Sequence, residues 1–162
     1  MMILLVMGVT GSGKTTVGKL LASRLGCLFL DADDFHPVEN IAKMKRGVAL
    51  SDEDREPWLA AIHAELLKCA STNQNAVLAC SALKQSYRET LASGVDLRIC
   101  YLQGTYIEIA ARLQSRTAHF AGEAILAGQF ADLEEPRDAL VLRVSNIPVE
   151  IVEDVLRKLN LG

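Results

Sequence analysis

The chain has 162 residues, half of them hydrophobic, and a formal net charge of −3. That length supports one ordinary domain with a sizeable core, and residues 1–162 are read as such. The apolar runs are only strand-length, well short of the ~20 residues a membrane-spanning helix needs; neither the charge balance nor any lysine-rich tail favours nucleic acid. A soluble cytoplasmic protein acting on a small molecule is expected.

Residues Ile3 to Met7 form an apolar run without a basic flank that leads straight into a glycine-rich loop, so it reads as a first core strand rather than a signal peptide. Further apolar runs follow at Cys27 to Leu30, Ala76 to Ala79, Leu97 to Leu102 and Ala139 to Val144. Segments of helical periodicity separate them, and that alternation predicts a parallel α/β sheet. A first helix is expected after Lys14, with Val17, Leu20, Leu21 and Leu25 on one face and Gly26 as its stop. Pro37 suits the first turn of a second helix, closed by Gly47. A long third helix begins near Ser51 with acids in its first turn, and Trp58, Leu59, Ile62 and Leu66 lie along one side. Trp58 therefore reads as a core anchor. Tyr106, Ile109, Ala110 and Leu113 mark a fourth helical face, and Val149, Val152, Leu156 and Leu159 a C-terminal helix entered through Pro148. The weakly periodic stretch between Ser115 and Gly128 reads as a lid over an active site. Cys27, Cys69, Cys80 and Cys100 show no paired spacing and are expected to be reduced, mostly buried thiols.

The strongest chemical signal is Gly8-Val9-Thr10-Gly11-Ser12-Gly13-Lys14-Thr15, which matches G-x-x-x-x-G-K-[ST] between a strand and an amphipathic helix. Its backbone N–H groups, continuing into Thr16, can wrap phosphates at a helix N-terminus; Lys14 reaches the β and γ oxygens, and Thr15 can ligate Mg²⁺. A glycine-rich turn with a chance Lys-Thr would lack this strand and helix context. Many such proteins carry a magnesium carboxylate after a later strand, but the third run ends in Ala79, Cys80 and Ser81. The second ends in Leu30-Asp31-Ala32-Asp33-Asp34, where an extended backbone would project Asp31 and Asp33 to the same side. Asp31 is assigned to magnesium through water and Asp33 to the acceptor hydroxyl as an orienting base, because phosphoryl transfer needs positioning more than strong deprotonation. Asp34 reads as a turn or cap residue.

Beyond these residues the chain resembles the gluconate kinase family along nearly its whole length. The matching stretches are Phe29 to Asp33, His36-Pro37, Asn40, Lys43-Met44, Gly47, Leu50, Asp52, Asp54-Arg55 and Pro57-Trp58-Leu59, then Cys80 to Lys84, Tyr87-Arg88, Arg112, Arg116, His119-Phe120, Gln129-Phe130 and Glu135-Pro136. The sequence departs from the family pattern at Ala32, where glycine is usual, at Ala118, where glycine is common, and at Gly128, where serine is usual. The resemblance implies a three-layer α/β/α P-loop nucleoside-triphosphate hydrolase fold like that of nucleoside monophosphate kinases, with a five-stranded parallel sheet, an acceptor-binding segment over 34–72 and a lid over 116–128. It also implies ATP and Mg²⁺, phosphorylation of D-gluconate at its 6-hydroxyl, and a homodimer.

An acidic polyol needs a cation for its carboxylate and polar groups for its hydroxyls, a mixture that His36, Arg55, Lys84, Arg88, His119 and Gln129 offer alongside Asp33. Arg55 and Arg88 have plainer readings as solvated helix residues, and His36 as packing beside a helix entry. Arg116 is the candidate to close over the transferred phosphoryl group, against the plain reading of an exposed loop arginine. By resemblance to related small-molecule kinases, Arg112 and Pro148 flank the adenine. A kinase for shikimate or a nucleoside monophosphate, and a nucleotide-binding module without catalysis, remain the alternatives.

Overall fold

The computed structural model describes residues 1–116 and 121–161, with the side chains of 116 and 121–123 outside that description. Strand β1 (Ile3–Met7) leads into helix α1 (Lys14–Leu25); β2 (Leu28–Asp31) is followed by a single 3₁₀ turn (Ala32–Phe35), α2 (Val38–Lys45) and α3 (Asp52–Ser71). Then come β3 (Ala76–Ala79), α4 (Gln85–Ala92), β4 (Leu97–Gln103), α5 (Tyr106–Arg116), α6 (Ala121–Asp132), β5 (Ala139–Arg143) and α7 (Pro148–Lys158). The five strands form one sheet in the order β2-β3-β1-β4-β5, and every pairing is parallel.

The order puts β1 at the centre, where all five of its apolar side chains are at most 1% exposed. Alternation along the strand sends Leu4 and Val6 to one face and Ile3, Leu5 and Met7 to the other. On the first face they meet Val17 and Leu21 of α1, Ile109 of α5, Leu126 of α6 and Val152 and Val155 of α7. On the second they meet Trp58, Ile62 and Leu66 of α3 and Tyr87 and Leu91 of α4. Each fully buried aliphatic side chain contributes about 2 kcal/mol, so the middle layer is held from both sides. Helices therefore cover both faces of the sheet, the three-layer arrangement that the resemblance implies. Among the described residues no helix is long and apolar enough to cross a membrane.

The expected helix α1 stops at Gly26, which adopts a left-handed φ of 63° and bonds back to the last turn. One segment differs from the sequence reading. The segment after β2 is not extended: Asp31 caps a 3₁₀ turn by accepting a hydrogen bond from the Asp33 backbone N–H at 3.0 Å. The short helix α4, which holds Arg88, has a polar mean pattern, and within it only Tyr87, Arg88 and Leu91 are buried. Residues 121–128, part of the expected lid, belong to α6, whereas 117–120 lie outside the described residues.

The acceptor segment is anchored at the start of α3 by a capping box, in which Ser51 Oγ accepts from Asp54 N–H at 3.1 Å and Asp54 Oδ2 accepts from Ser51 N–H at 2.9 Å. Lys43 Nζ from α2 donates to both Asp54 carboxylate oxygens, at 2.9 and 2.8 Å, and so ties α2 to α3. These bonds, with Lys43 foremost, pull the Asp54 carboxyl from its ordinary 3.8 down to about 2. A carboxylate with a depressed folded-state pKa stabilises the fold above its unfolded value and loses that contribution as pH falls through the folded one. The stability gap between the wild type and Asp54→Asn is therefore expected to be open above about pH 4 and to close toward about pH 2. Urea unfolding across that range checks it; a gap that does not vary with pH contradicts the pairing.

Candidate active site

The loop between β1 and α1 is shaped by its glycines. Gly8 has φ 154°, and a Cβ there would meet Ser12 Oγ at 2.7 Å and the Leu102 carbonyl oxygen at 3.0 Å, so no side chain fits between the loop and β4. Gly13, at φ 96°, turns the chain into the N-terminus of α1 without a side-chain cap, leaving the first N–H groups of the helix for a ligand. Lys14 Nζ donates to the Val9 carbonyl at 3.0 Å, lying back along the loop. Burial lowers the Lys14 pKa from its ordinary value, opposed by the fields of Asp33 and Asp31.

A cavity of about 220 Å³ opens at the C-terminal edge of the sheet, lined by Thr10, Gly11, Gly13, Lys14, Thr15, Thr16, Asp31, Asp33, Ala79, Cys80, Ser81 and Gln129. Strand β3 lies between β1 and β2, and its end supplies only the small side chains Ala79, Cys80 and Ser81, which leave room between the loop and the two acids. Burial pushes the Cys80 thiol up to about 12, so it takes no charge here. Thr15 Oγ1 stands 3.5 Å from Asp31 Oδ2. A hydroxyl and a carboxylate so placed fit a hydrated divalent cation held chiefly by phosphate oxygens. Among the described residues no group of three His, Cys, Asp or Glu side chains could hold a metal without such help. The donors also fit a nucleotide's phosphates: glycine-permitted backbone N–H groups, a helix N-terminus and one lysine face a single cavity.

A second group of cations, outside the cavity lining, gathers where the start of α3 packs on the start of α4. Arg55 Nη1 donates to Tyr87 Oη at 2.9 Å and lies 3.7 Å from Asp132 Oδ2. Lys84 Nζ bonds both oxygens of Asp52, at 3.0 and 3.2 Å, and Tyr87 Oη donates to Asp52 as well. The Tyr87 hydrogen bond, then Lys84, lowers the Asp52 carboxyl below the ordinary range. His36 lies flat on Trp58 with ring centroids 4.5 Å apart, and the Trp58 indole N–H donates to the Ala32 carbonyl at 2.7 Å. Trp58 is thus the core anchor expected, and it also carries His36. Ala32 itself is buried in the turn, where its lack of a positive φ removes any need for glycine.

Other candidates sit elsewhere. Arg88 is 3% exposed, and its guanidinium donates to the carbonyls of Ala82, Leu83 and Glu134 and to Gln85 Oε1. Those bonds staple the turn after β3 to the segment after α6 and turn the group into the protein rather than toward a ligand. Gln129, on α6, accepts from the Thr10 backbone N–H at 2.6 Å and so touches the phosphate loop, not the Arg55 group. A Cβ at the neighbouring Gly128 would meet nothing within 4 Å, so the departure from serine there leaves packing unchanged. Arg112 Nη1 donates to the Val144 carbonyl at 2.8 Å, and its Nη2 lies 3.5 Å from where a Cβ on Gly13 would be. Pro148 opens α7, four residues after Val144 on the connection from β5. Arg116 ends α5 with its side chain outside the description, and Ala118 and His119 lie outside the described residues.

Asn40, Asp52, Tyr87 and Asp132 received no role from the sequence. The i, i+4 spacing of His36 and Asn40 at a helix entry was the available signal for the first. Asp52 and Tyr87 come together only through the packing of α3 on α4, which no local spacing reveals.

Comparison with known proteins agrees with this geometry. The sequence model of the shikimate kinase family matches residues 10–155. A probable gluconokinase of Mus musculus is 47% identical over 152 residues, covering 83% of each chain. A gluconokinase of Gluconobacter oxydans is 46% identical over 159 residues, covering 95% of this chain and 89% of the other. The crystal structure of a gluconokinase from Sinorhizobium meliloti superposes with a TM-score of 0.87 at 40% identity, covering 97% of this chain and 90% of that one. On that identity and coverage the chain belongs to the gluconokinase family of P-loop kinases.

Proposed function

We propose that this enzyme transfers the γ-phosphoryl group of ATP to the 6-hydroxyl of D-gluconate, giving 6-phospho-D-gluconate and ADP. The observation that carries the reading is one cavity that Lys14, Thr15, Asp31 and Asp33 all line, with Arg55 close enough that its field and that of Asp33 both reach His36. Bound Mg·ATP supplies the transferable group and most of the positive charge on its oxygens.

The chain's own groups position and neutralise. Backbone N–H groups from Gly8 to Thr16 hold the phosphates, Lys14 leaves the Val9 carbonyl to reach them, and Thr15 with Asp31 holds the hydrated Mg²⁺. Asp33 accepts a hydrogen bond from the acceptor hydroxyl and aims its oxygen at phosphorus; in a loose transition state that alignment matters more than basicity. Arg55 is the better candidate for the substrate carboxylate, since its 3.7 Å contact with Asp132 is longer than a hydrogen bond and yields readily to a bidentate partner. Lys84 keeps Asp52 and offers a second charge, and His36 serves the hydroxyls. Arg88 staples the turn after β3, and Gln129 steadies the phosphate loop. Arg112 and Pro148 flank the adenine, while Arg116 and His119 belong to the closing lid of 116–128. The protein is read as a single cytoplasmic domain that pairs as a homodimer.

ADP release with Mg·ATP and one acceptor at a time tests the substrate: D-gluconate, shikimate, AMP and several hexoses. Turnover confined to gluconate is expected; turnover on shikimate or AMP with silence on gluconate overturns the substrate assignment. Asp33→Asn is expected to lower kcat by about 10²- to 10⁴-fold with little change in ATP affinity. A rise in the KM for ATP at unchanged kcat contradicts its acceptor role.

A further inference from the structure

The buried amide of Asn40, at the start of α2, is only 3% exposed and makes two contacts that fix each other. Its Nδ2 lies 2.8 Å from the Asp54 backbone carbonyl oxygen and 3.3 Å from His36 Nδ1. A carbonyl oxygen only accepts, so the NH₂ end of the amide must face Asp54. The second hydrogen of that NH₂ is then directed at His36 Nδ1, which must offer a lone pair. The imidazole proton therefore resides on Nε2.

The ring has no freedom to evade this arrangement. It stacks on Trp58 with an interplanar angle of 6°, and Trp58 is itself buried and bonded to Ala32. Asp54, which orients Asn40, is held by Lys43 and Ser51. Fixed in plane and in tautomer, His36 has one remaining polar atom, an Nε2–H donor, on the ring side away from Asn40. Asp33 and Arg55 are the charged groups whose fields reach the ring. Burial is the largest influence on its pKa and lowers it, so the ring stays neutral near pH 7.

We propose that Asn40 is a positioning residue that locks His36 as the Nε2–H tautomer, so that His36 donates a hydrogen bond to an acceptor hydroxyl oxygen while Asp33 accepts one. This rests on the kinase reading for the location of the acceptor. A donor set near the Asp33 acceptor, whose field reaches the ring, reads the direction of the O–H bonds in a polyol, which a charged pair alone does not. With the opposite tautomer His36 would present a lone pair beside a carboxylate, and two acceptors would compete for the same proton.

The test is the tautomer itself, read from long-range ¹H–¹⁵N correlations of the imidazoles in ¹⁵N-histidine-labelled full-length protein without substrate. The chain has three histidines, and His36→Gln assigns the signal. The wild type is expected to show His36 with an unprotonated Nδ1 and a protonated Nε2. Asn40→Asp, whose carboxylate accepts, is expected to move the proton to Nδ1 and to raise the KM for gluconate by about tenfold at little change in the KM for ATP. A wild-type His36 protonated on Nδ1 overturns the proposal, and needs no variant to fold. So does a folded Asn40→Asp enzyme with the wild-type tautomer, or with both KM values raised alike. If the tautomer is as expected but gluconate is not turned over, the substrate reading fails and the lock stands.

Discussion

Burying β1 on both faces at the centre of a parallel sheet constrains everything that follows it. A strand that is apolar on both sides can carry no catalytic side chain, so chemistry begins only where the chain leaves the sheet. Glycines at that exit let the backbone itself become the ligand. Because β3 separates β1 from β2, the acids at the end of β2 would stand a strand away from the phosphates if β3 ended in bulky residues. Ala79, Cys80 and Ser81 leave that gap open, and the cavity is the space they do not fill. The acid that many such proteins carry after a later strand is absent here, and the two acids that line the cavity come from the end of β2 instead.

On the far side the same economy appears in electrostatics. Arg55 and Lys84 are not left bare; Asp52, Tyr87 and Asp132 hold them in place before any ligand arrives. Such pairing avoids an uncompensated half-buried charge, and the weaker of the contacts, Arg55 to Asp132, joins α3 to the end of α6. Since α6 also carries Gln129 onto Thr10, one helix touches both the phosphate loop and the cation group. Movement of α6 would therefore be felt at both Thr10 and Arg55.

Much of this was legible in the sequence where one interaction dominates. β1 and β3 are apolar runs because they are buried on both faces, and α1 and α7 end or begin at Gly26 and Pro148 for backbone reasons. The phosphate loop is legible because its geometry tolerates few residues. What escaped depends on contacts distant in sequence. Arg88 looks like any surface helix arginine until the carbonyls of Ala82, Leu83 and Glu134 surround it. Asp31 and Asp33 both line one cavity, through a 3₁₀ turn that Asp31 caps rather than the extended segment expected. Asn40 gave almost no signal, since a buried amide is recognised only once its partners are known.

The central claim is that Asp31 and Asp33 divide the work at the end of β2, one facing the metal and the other the acceptor. The crystal structure of the complex with Mg²⁺, a non-hydrolysable ATP analogue and D-gluconate tests it most directly. The expected result is Asp31 bonded to a magnesium-bound water and Asp33 within hydrogen-bond distance of the gluconate 6-hydroxyl, in line with the γ-phosphorus. A 6-hydroxyl held by another side chain, with Asp33 turned to the metal, would contradict it.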